Sequence, residues 1–281
     1  MSGVRASGTG GATLAGRGVV RRLGGVAVVD GVDLVVRPGR VTALVGPNGA
    51  GKSVLLDCLS GLARPDCGRI LLDDRDLTRA PCHRRARLGI ARTFQQVAVF
   101  PELTVAENVL VGAEQQHPSG PAGAVLRVRA AAWSLTGGRA PAAAPAAASA
   151  TASATASAAV HHGRVATALR LLGLTPLADR SAGDLPLGVL RLVELARALA
   201  GAPRVLLVDE VSVGLDAGQV AWVARVLAGV AREGAGVLLV EHDLGLVARL
   251  AEFAYVLDAG RVVAHGPSGR VLADQRVRRL W

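Results

Sequence analysis

Eight consecutive residues carry the clearest chemistry in the chain. Gly46-Pro47-Asn48-Gly49-Ala50-Gly51-Lys52-Ser53 fit G-x-x-x-x-G-K-S/T, the pattern of a loop that wraps the phosphates of ATP or GTP. Phosphate binding needs backbone N–H groups turned inward without Cβ obstruction, which glycine at 46, 49 and 51 permits. A helix opening near Lys52 would add its positive N-terminal end. The Lys52 ammonium can reach the β- and γ-phosphates, and the Ser53 hydroxyl can ligate Mg2+. Lys52 is also the only lysine among 32 cationic residues. A chain that uses arginine everywhere else has a compact, flexible point charge here.

Two other stretches end in groups that complement such a loop. Val205-Leu206-Leu207-Val208 runs into Asp209-Glu210, and Val237-Leu238-Leu239-Val240 runs into Glu241-His242-Asp243. An acidic residue such as Asp209 can hold Mg2+ through water. A second carboxylate beside it, Glu210, can orient and deprotonate an attacking water. The His242 imidazole can donate to a γ-phosphate oxygen and so sense it. One acidic pair alone would say little, but the three stretches together point to ATP hydrolysis.

Such groups meet only if a scaffold brings them to one edge. Arg40 to Val45, Val205 to Val208 and Val237 to Val240 are near-continuous apolar runs, as expected of buried parallel strands. Ligands of open parallel sheets bind outside the carboxyl ends of the strands, where Lys52, Ser53, Asp209, Glu210 and His242 would then sit. Helical patterns follow the loop as far as Gly61 and recur near 217–232 and 244–251, which is βαβ logic. Ala254 to Leu257 and Arg261 to Ala264 read as a closing hairpin. Val19 to Val36 reads as antiparallel strands with tight turns at Gly24-Gly25 and Asp30-Gly31, followed by a turn at Arg37-Pro38-Gly39 and a later strand at Ile70 to Leu72. Between about Val105 and Ala200 the pattern is mostly helical, and in the last of these helices Arg191, Glu194 and Arg197 fall on the polar side. The expected fold is therefore α/β: a P-loop, RecA-like, mostly parallel sheet with an antiparallel β subdomain and an inserted α-helical subdomain. Residues 1–16 read as a disordered tail, and 17–281 as one domain with its core in 17–95 and 202–281. The helical subdomain occupies 96–201 and contains a low-complexity linker at 137–160, flexible or a fraying Ala-rich helix.

Composition narrows the options. The net charge of +10 suits an anionic neighbour, but 2% aromatics offer little for base stacking, so no specific nucleic-acid partner is expected. Arg79, Arg84, Arg85, Arg87 and Arg92 form a basic cluster, read as a solvated face or as a docking face for an acidic partner. Cys58, Cys67 and Cys82 are odd in number without a C-x-x-C pair and read as reduced thiols of a cytosolic protein. His161-His162 is a metal hint that no further ligand pattern supports, and flexible surface is the better reading. The uncharged stretch 140–160 is long enough to span a bilayer, but it is almost all Ala, Ser, Thr and Pro, with nothing to drive insertion. No apolar leader core appears at the start.

From about residue 17 to 281 the chain resembles the ATP-binding subunit of an ABC transporter, within the branched-chain amino acid importer group. The resemblance is carried by six ordered motifs: Gly46 to Ser53, the Q-loop Arg92-Thr93-Phe94-Gln95, the signature region Leu185-Pro186-Leu187-Gly188, Val208-Asp209-Glu210, the D-loop Gly214-Leu215-Asp216, and His242. The importer group is indicated by Gly89 to Gln95, Phe100 to Asn108, and Ala273 to Val277. The resemblance implies ATP and Mg2+ as cofactors. Gly46 to Val54 would hold ATP, Ser53 and Gln95 would ligate Mg2+, with Asp209 acting through water, and Glu210, His242 and Gln95 would serve hydrolysis. Gly188 and Asp216 would serve ATP across a head-to-tail dimer with a second ABC ATPase subunit, the same chain or a different one. Further implied partners are membrane permease subunits and, indirectly, an extracytoplasmic solute-binding protein, which places the chain on the cytoplasmic face of the membrane.

Several positions depart from the family pattern. Pro186 stands where a signature serine is usual, Val189 replaces a polar residue, Val54 a hydroxyl and Val211 a proline, and Leu23 lies where an aromatic would stack on adenine. They motivate the alternative of a catalytically weak, regulatory half of a heterodimeric ATPase.

Overall fold

The computed structural model describes residues 12–115 and 151–280, with side chains from 159 in the second segment. Its elements in chain order are β1 (Leu14–Leu23), β2 (Val26–Val36), β3 (Val41–Val45), α1 (Lys52–Ser60), β4 (Cys67–Leu72), β5 (Arg75–Asp76), α2 (Cys82–Arg87), β6 (Ile90–Arg92) and α3 (Val105–Glu114). There follow α4 (Thr151–Leu171), α5 (Leu187–Ala200), β7 (Val205–Asp209), α6 (Ala217–Arg232), β8 (Gly236–Val240), α7 (Leu244–Leu250), β9 (Phe253–Asp258), β10 (Arg261–Pro267), α8 (Ser268–Ala273) and α9 (Gln275–Arg278).

The apolar runs become the central strands of a six-stranded sheet in the order β10-β9-β3-β8-β7-β6. All its pairings are parallel except the β9–β10 hairpin. Alternate residues of one strand face opposite sides, so a strand apolar throughout needs a core on each face. Ala43, Val208, Val237 and Leu239 join a core with α3 to α7. Leu44, Leu207, Leu238 and Val240 join a second core with α1 and the antiparallel sheet β2-β1-β4-β5. The expected helical subdomain docks onto the first of these. Val105 and Val109 of α3, Leu169 of α4 and Val193 of α5 are buried within it.

The structure also moves several expected boundaries. β1 begins at Leu14, inside the stretch read as tail; residues 1–11 lie outside the described residues. Asp30-Gly31 is no turn: β2 continues through it as a bulge, with register shifting between Val19↔Val32 and Arg21↔Val29. Gly31 takes φ 67 there, and Asp30 pairs with Arg261 at 2.7 Å. Of the low-complexity segment 137–160, residues 151–160 lie within helix α4 and the rest lies outside the described residues. The basic cluster is not one surface. Arg85 is buried, donating to the carbonyls of Cys58 (2.6 Å) and Leu59 (2.8 Å) at the C-terminal end of α1. That end has no basic residue of its own in its last turn, so Arg85 supplies from another helix the cation its orphan carbonyls favour. Arg191 and Glu194 of α5 are likewise buried, not solvent-facing.

No helix among the described residues is long and apolar enough to cross a membrane. Nor do those residues hold a group of three or more His, Cys, Asp or Glu side chains placed to bind a metal ion, at His161-His162 or elsewhere.

Candidate functional site

The loop after β3 is shaped by close backbone approaches. At Gly46 (φ 155) a Cβ would lie 2.1 Å from the Leu257 carbonyl oxygen, so only glycine lets the chain turn against the end of β9. The helix α1 then opens at Lys52 with Gly51 as its cap, as the sequence predicts. The buried Lys52 Nζ donates to the carbonyls of Gly46 (2.7 Å) and Pro47 (2.9 Å), which holds the ammonium at the mouth of its own loop. Burial lowers the Lys52 pKa, and the negative charges of Glu210 and Asp209 work against that shift.

The carboxylates arrive at the end of β7, which β8 separates from β3. Asp209 is 1% exposed; its N–H donates to Thr93 Oγ1 (3.1 Å), and its Oδ2 accepts from Arg92 Nη2 at 3.4 Å. Its Oδ1 is buried without a hydrogen-bond partner. Burial raises the Asp209 pKa against the pull of the Arg92 guanidinium. A buried carboxylate oxygen with no donor is what a hydrated divalent cation would satisfy, so the donor set of Ser53, Gln95 and Asp209 fits Mg2+. Glu210, the next residue, is held at φ 47, in the left-handed region uncommon for a residue with a side chain. Its N–H donates to the Val240 carbonyl (2.9 Å), and Gln95 Nε2 donates to its Oε2 at 3.3 Å. The strained turn aims Glu210 out of the sheet edge, as strain at functional sites commonly does.

Except for the buried Asp209, which is not among its lining residues, the predicted phosphate, carboxylate and imidazole groups open onto one cleft of about 730 Å³. Gly46, Pro47, Asn48, Gly49, Ala50, Gly51, Lys52, Ser53 and Val54 line it together with Gln95, Glu210 and His242, as the motifs lead one to expect. Two apolar residues join them unannounced, Val28 from β2 and Leu280 from beyond α9. Leu23, by contrast, lies half-exposed at the β1–β2 turn and is not among the lining residues.

Gly188 and Asp216 stand apart from this cleft. Gly188 is in the first turn of α5, after the N-cap Pro186, where a Cβ would lie 2.4 Å from the Gly214 carbonyl oxygen. The signature region thus packs directly on the D-loop of its own chain. The Asp216 side chain accepts from Gln219 N (2.8 Å) and caps α6 in a reciprocal capping box.

Other residues around the site escape motif reading. Arg92 joins Asp57 of α1 (2.5 Å) to Asp209, and its guanidinium lies 5.2 Å from the Phe94 ring centroid. Glu241, beside His242, is fully buried and accepts from Ser212 N (3.0 Å) and Oγ (2.9 Å), tying the end of β8 to the segment before the D-loop. Arg191 and Glu194 grip the Q-loop backbone. The available signal was a charged residue among apolar ones at a strand end or on a helix. The partners of such a residue lie 29 to 117 positions away, at distances no local spacing encodes.

Comparison with known proteins agrees with this geometry. The family model described as "ABC transporter" matches residues 29–213. The high-affinity branched-chain amino acid transport ATP-binding protein LivG of Escherichia coli K12 is 32% identical over 269 residues, covering 94% of this chain and 95% of that protein. The lipopolysaccharide export system ATP-binding protein LptB of the same organism is 30% identical, covering 96% and 97%. A solved ATP-binding cassette of an ABC transporter in its ADP conformation superposes with a TM-score of 0.74 at 27% identity, covering 96% of this chain and 98% of that one. Phosphate loop, paired carboxylates, Q-loop and histidine on one sheet edge, with a family match across most of the chain, leave a single assignment: the chain belongs to the ABC transporter family, as an ATP-binding subunit.

Proposed function

We propose that this chain hydrolyses ATP to drive an importer of branched-chain amino acids or related amino acids and amides. The observation that carries the reading is the convergence of Lys52, Ser53, Gln95, Glu210 and His242 on one cleft while Gly188 faces elsewhere. A site so divided is completed by a second ATPase subunit, whose signature glycine would face this loop while Gly188 faces the partner's. The similarity to LivG supports the choice of solute class. Permease subunits and an extracytoplasmic binding protein complete the assembly, with this chain on the cytoplasmic face of the membrane.

Each residue then has a physical task. Backbone N–H groups of Gly49 to Ser53, with the N-terminal end of α1, hold the phosphates, and Lys52 exchanges its loop carbonyls for β- and γ-phosphate oxygens. Mg2+ at Ser53, Gln95 and Asp209 would neutralise charge on the phosphate oxygens. Gln95 orients Glu210 through its 3.3 Å hydrogen bond, and Glu210 takes the proton of the attacking water. The exposed His242 imidazole, with Nδ1 3.8 Å from Glu241 Oε2, would donate to the γ-phosphate. The departures at Leu23, Val54, Pro186, Val189 and Val211 displace none of these groups.

The test measures ATP binding and turnover by the chain with its partner subunits. Glu210→Gln should keep binding and lose hydrolysis; full turnover in that variant would remove Glu210 from its role. Uptake of labelled leucine by cells with and without the gene tests the solute class, and unchanged uptake would reject it.

A further inference from the structure

The Q-loop leaves the sheet after Thr93, whose N–H makes the last strand-like bond, to the Leu207 carbonyl. From there to Phe100 the chain has no regular structure, so its backbone groups must find partners elsewhere. At Phe94 and Gln95 they find them on the signature helix, whereas the Phe100 backbone is held by Asn108 of α3. Phe94 N–H donates to Glu194 Oε1 (2.9 Å), Arg191 Nη1 donates to the Phe94 carbonyl (2.7 Å), and Arg191 Nη2 donates to the Gln95 carbonyl. Two turns after Arg191, the Arg197 guanidinium stands 5.7 Å from the Phe100 ring centroid.

Residues 191, 194 and 197 recur every three positions, so one stripe of α5 meets the loop at Phe94, Gln95 and Phe100. Arg191 and Glu194 are 7% and 1% exposed; Arg191 Nε is buried without a hydrogen-bond partner, while Glu194 lies between the charges of Arg197 and Arg191 and near the Ala98 N–H. Burying charged groups so incompletely satisfied is costly, and apolar side chains would pack a helix face more cheaply. What apolar side chains could not do is hold three successive peptide groups of an irregular loop. The grip falls one helical turn from Gly188, at the peptide of the residue whose side chain reaches Glu210.

We propose that Arg191 and Glu194 are positioning residues that make the signature helix and the Q-loop one mechanical body. Contact of Gly188 with nucleotide at one site then sets where Gln95 stands beside Glu210 at the other, coupling the two sites through α5. The coupling rests on the dimeric ATPase proposed above, whereas the grip itself does not.

The experiment therefore has one arm of each kind. Hydrogen exchange on the full chain reads the grip without catalysis. Glu194→Ala should speed exchange at Phe94 by about tenfold or more, whereas Glu194→Gln, which keeps an acceptor, should leave it near wild type. In the assembled transporter, Arg191→Ala should lower kcat about tenfold or more with KM for ATP little changed, and bring the Hill coefficient towards one. Because Arg191 acts through Gln95, the double variant with Gln95→Ala should be no slower than Gln95→Ala alone. Arg191→Gln replaces Arg191→Ala if the latter fails to fold. Unchanged exchange in Glu194→Ala, multiplied losses in the double variant, or a rise in KM that accounts for the loss would each overturn the proposal. A wild-type assembly without ATP turnover would instead overturn the proposed function, and the exchange arm would still decide the grip.

Discussion

The phosphate loop and the signature helix lie on the same molecule but are built by opposite means. The loop is made of backbone and is contiguous: eight successive residues run into a helix, and glycine at 46 lets their backbone pass the distant Leu257 carbonyl. The signature helix works through side chains and over long range, with Arg191 and Glu194 reaching the loop at 94–95 across almost a hundred positions. Close backbone contact links the helix to the D-loop too, at Gly188 and Gly214. A contiguous loop can be recognised from its own residues. The signature helix has consequences only through what it touches.

That contrast can be broken or sharpened by substitution, beginning at the chemistry. Glu210→Gln should reduce hydrolysis by roughly 10²–10⁴-fold while leaving nucleotide binding intact, measured as phosphate release against binding of a fluorescent ATP analogue. Lys52→Ala strikes the loop itself and should weaken ATP affinity by about ten- to hundredfold, from loss of a charge-assisted contact, as titration calorimetry would show. Gly188→Ala should do the reverse. It should leave nucleotide affinity of the isolated chain unchanged, yet lower stability by about 1–3 kcal/mol because the new Cβ meets the Gly214 carbonyl; denaturant unfolding measures the loss. Equal effects of Lys52→Ala and Gly188→Ala on affinity would erase the distinction between the two regions. Arg85→Met, remote from both, should cost about 1–3 kcal/mol by leaving the carbonyls at the end of α1 unpaired, with its ATP affinity close to wild type. The smallest effect is chemical. Cys67 and Cys82 are exposed, whereas burial pushes the Cys58 thiol up to about 11. Two of the three thiols should therefore react with a disulfide reagent at neutral pH, and Cys58 only on unfolding.

How legible each part was in the sequence follows the same division. The parallel sheet was legible because strands buried on both faces are apolar throughout, and Val205 to Val208 and Val237 to Val240 admit little else. Helix α6 was legible to the residue because Asp216 and Gln219 cap it locally. The bulge at Asp30-Gly31 was misread as a turn because glycine at positive φ serves either structure, and the choice depends on pairing with β1. The arginine run at 79–92 looked like a surface because charge is usually solvated. Arg85 and Arg92 had carbonyl and carboxylate partners on α1 and β7 that spacing could not reveal.

Glycine geometry, a lone lysine and strand patterning are properties of short stretches, so a phosphate loop and the acidic and imidazole groups that end two further strands could be read from the residues alone. Only the tertiary structure decided that Gln95 reaches Glu210, that Arg92 holds Asp209, and that Arg191 and Glu194 bind the Q-loop to the signature helix. The physical reason is that a buried charge is satisfied by whichever partner the fold brings near. That partner is set by the packing of whole elements and not by the residues beside it in the chain.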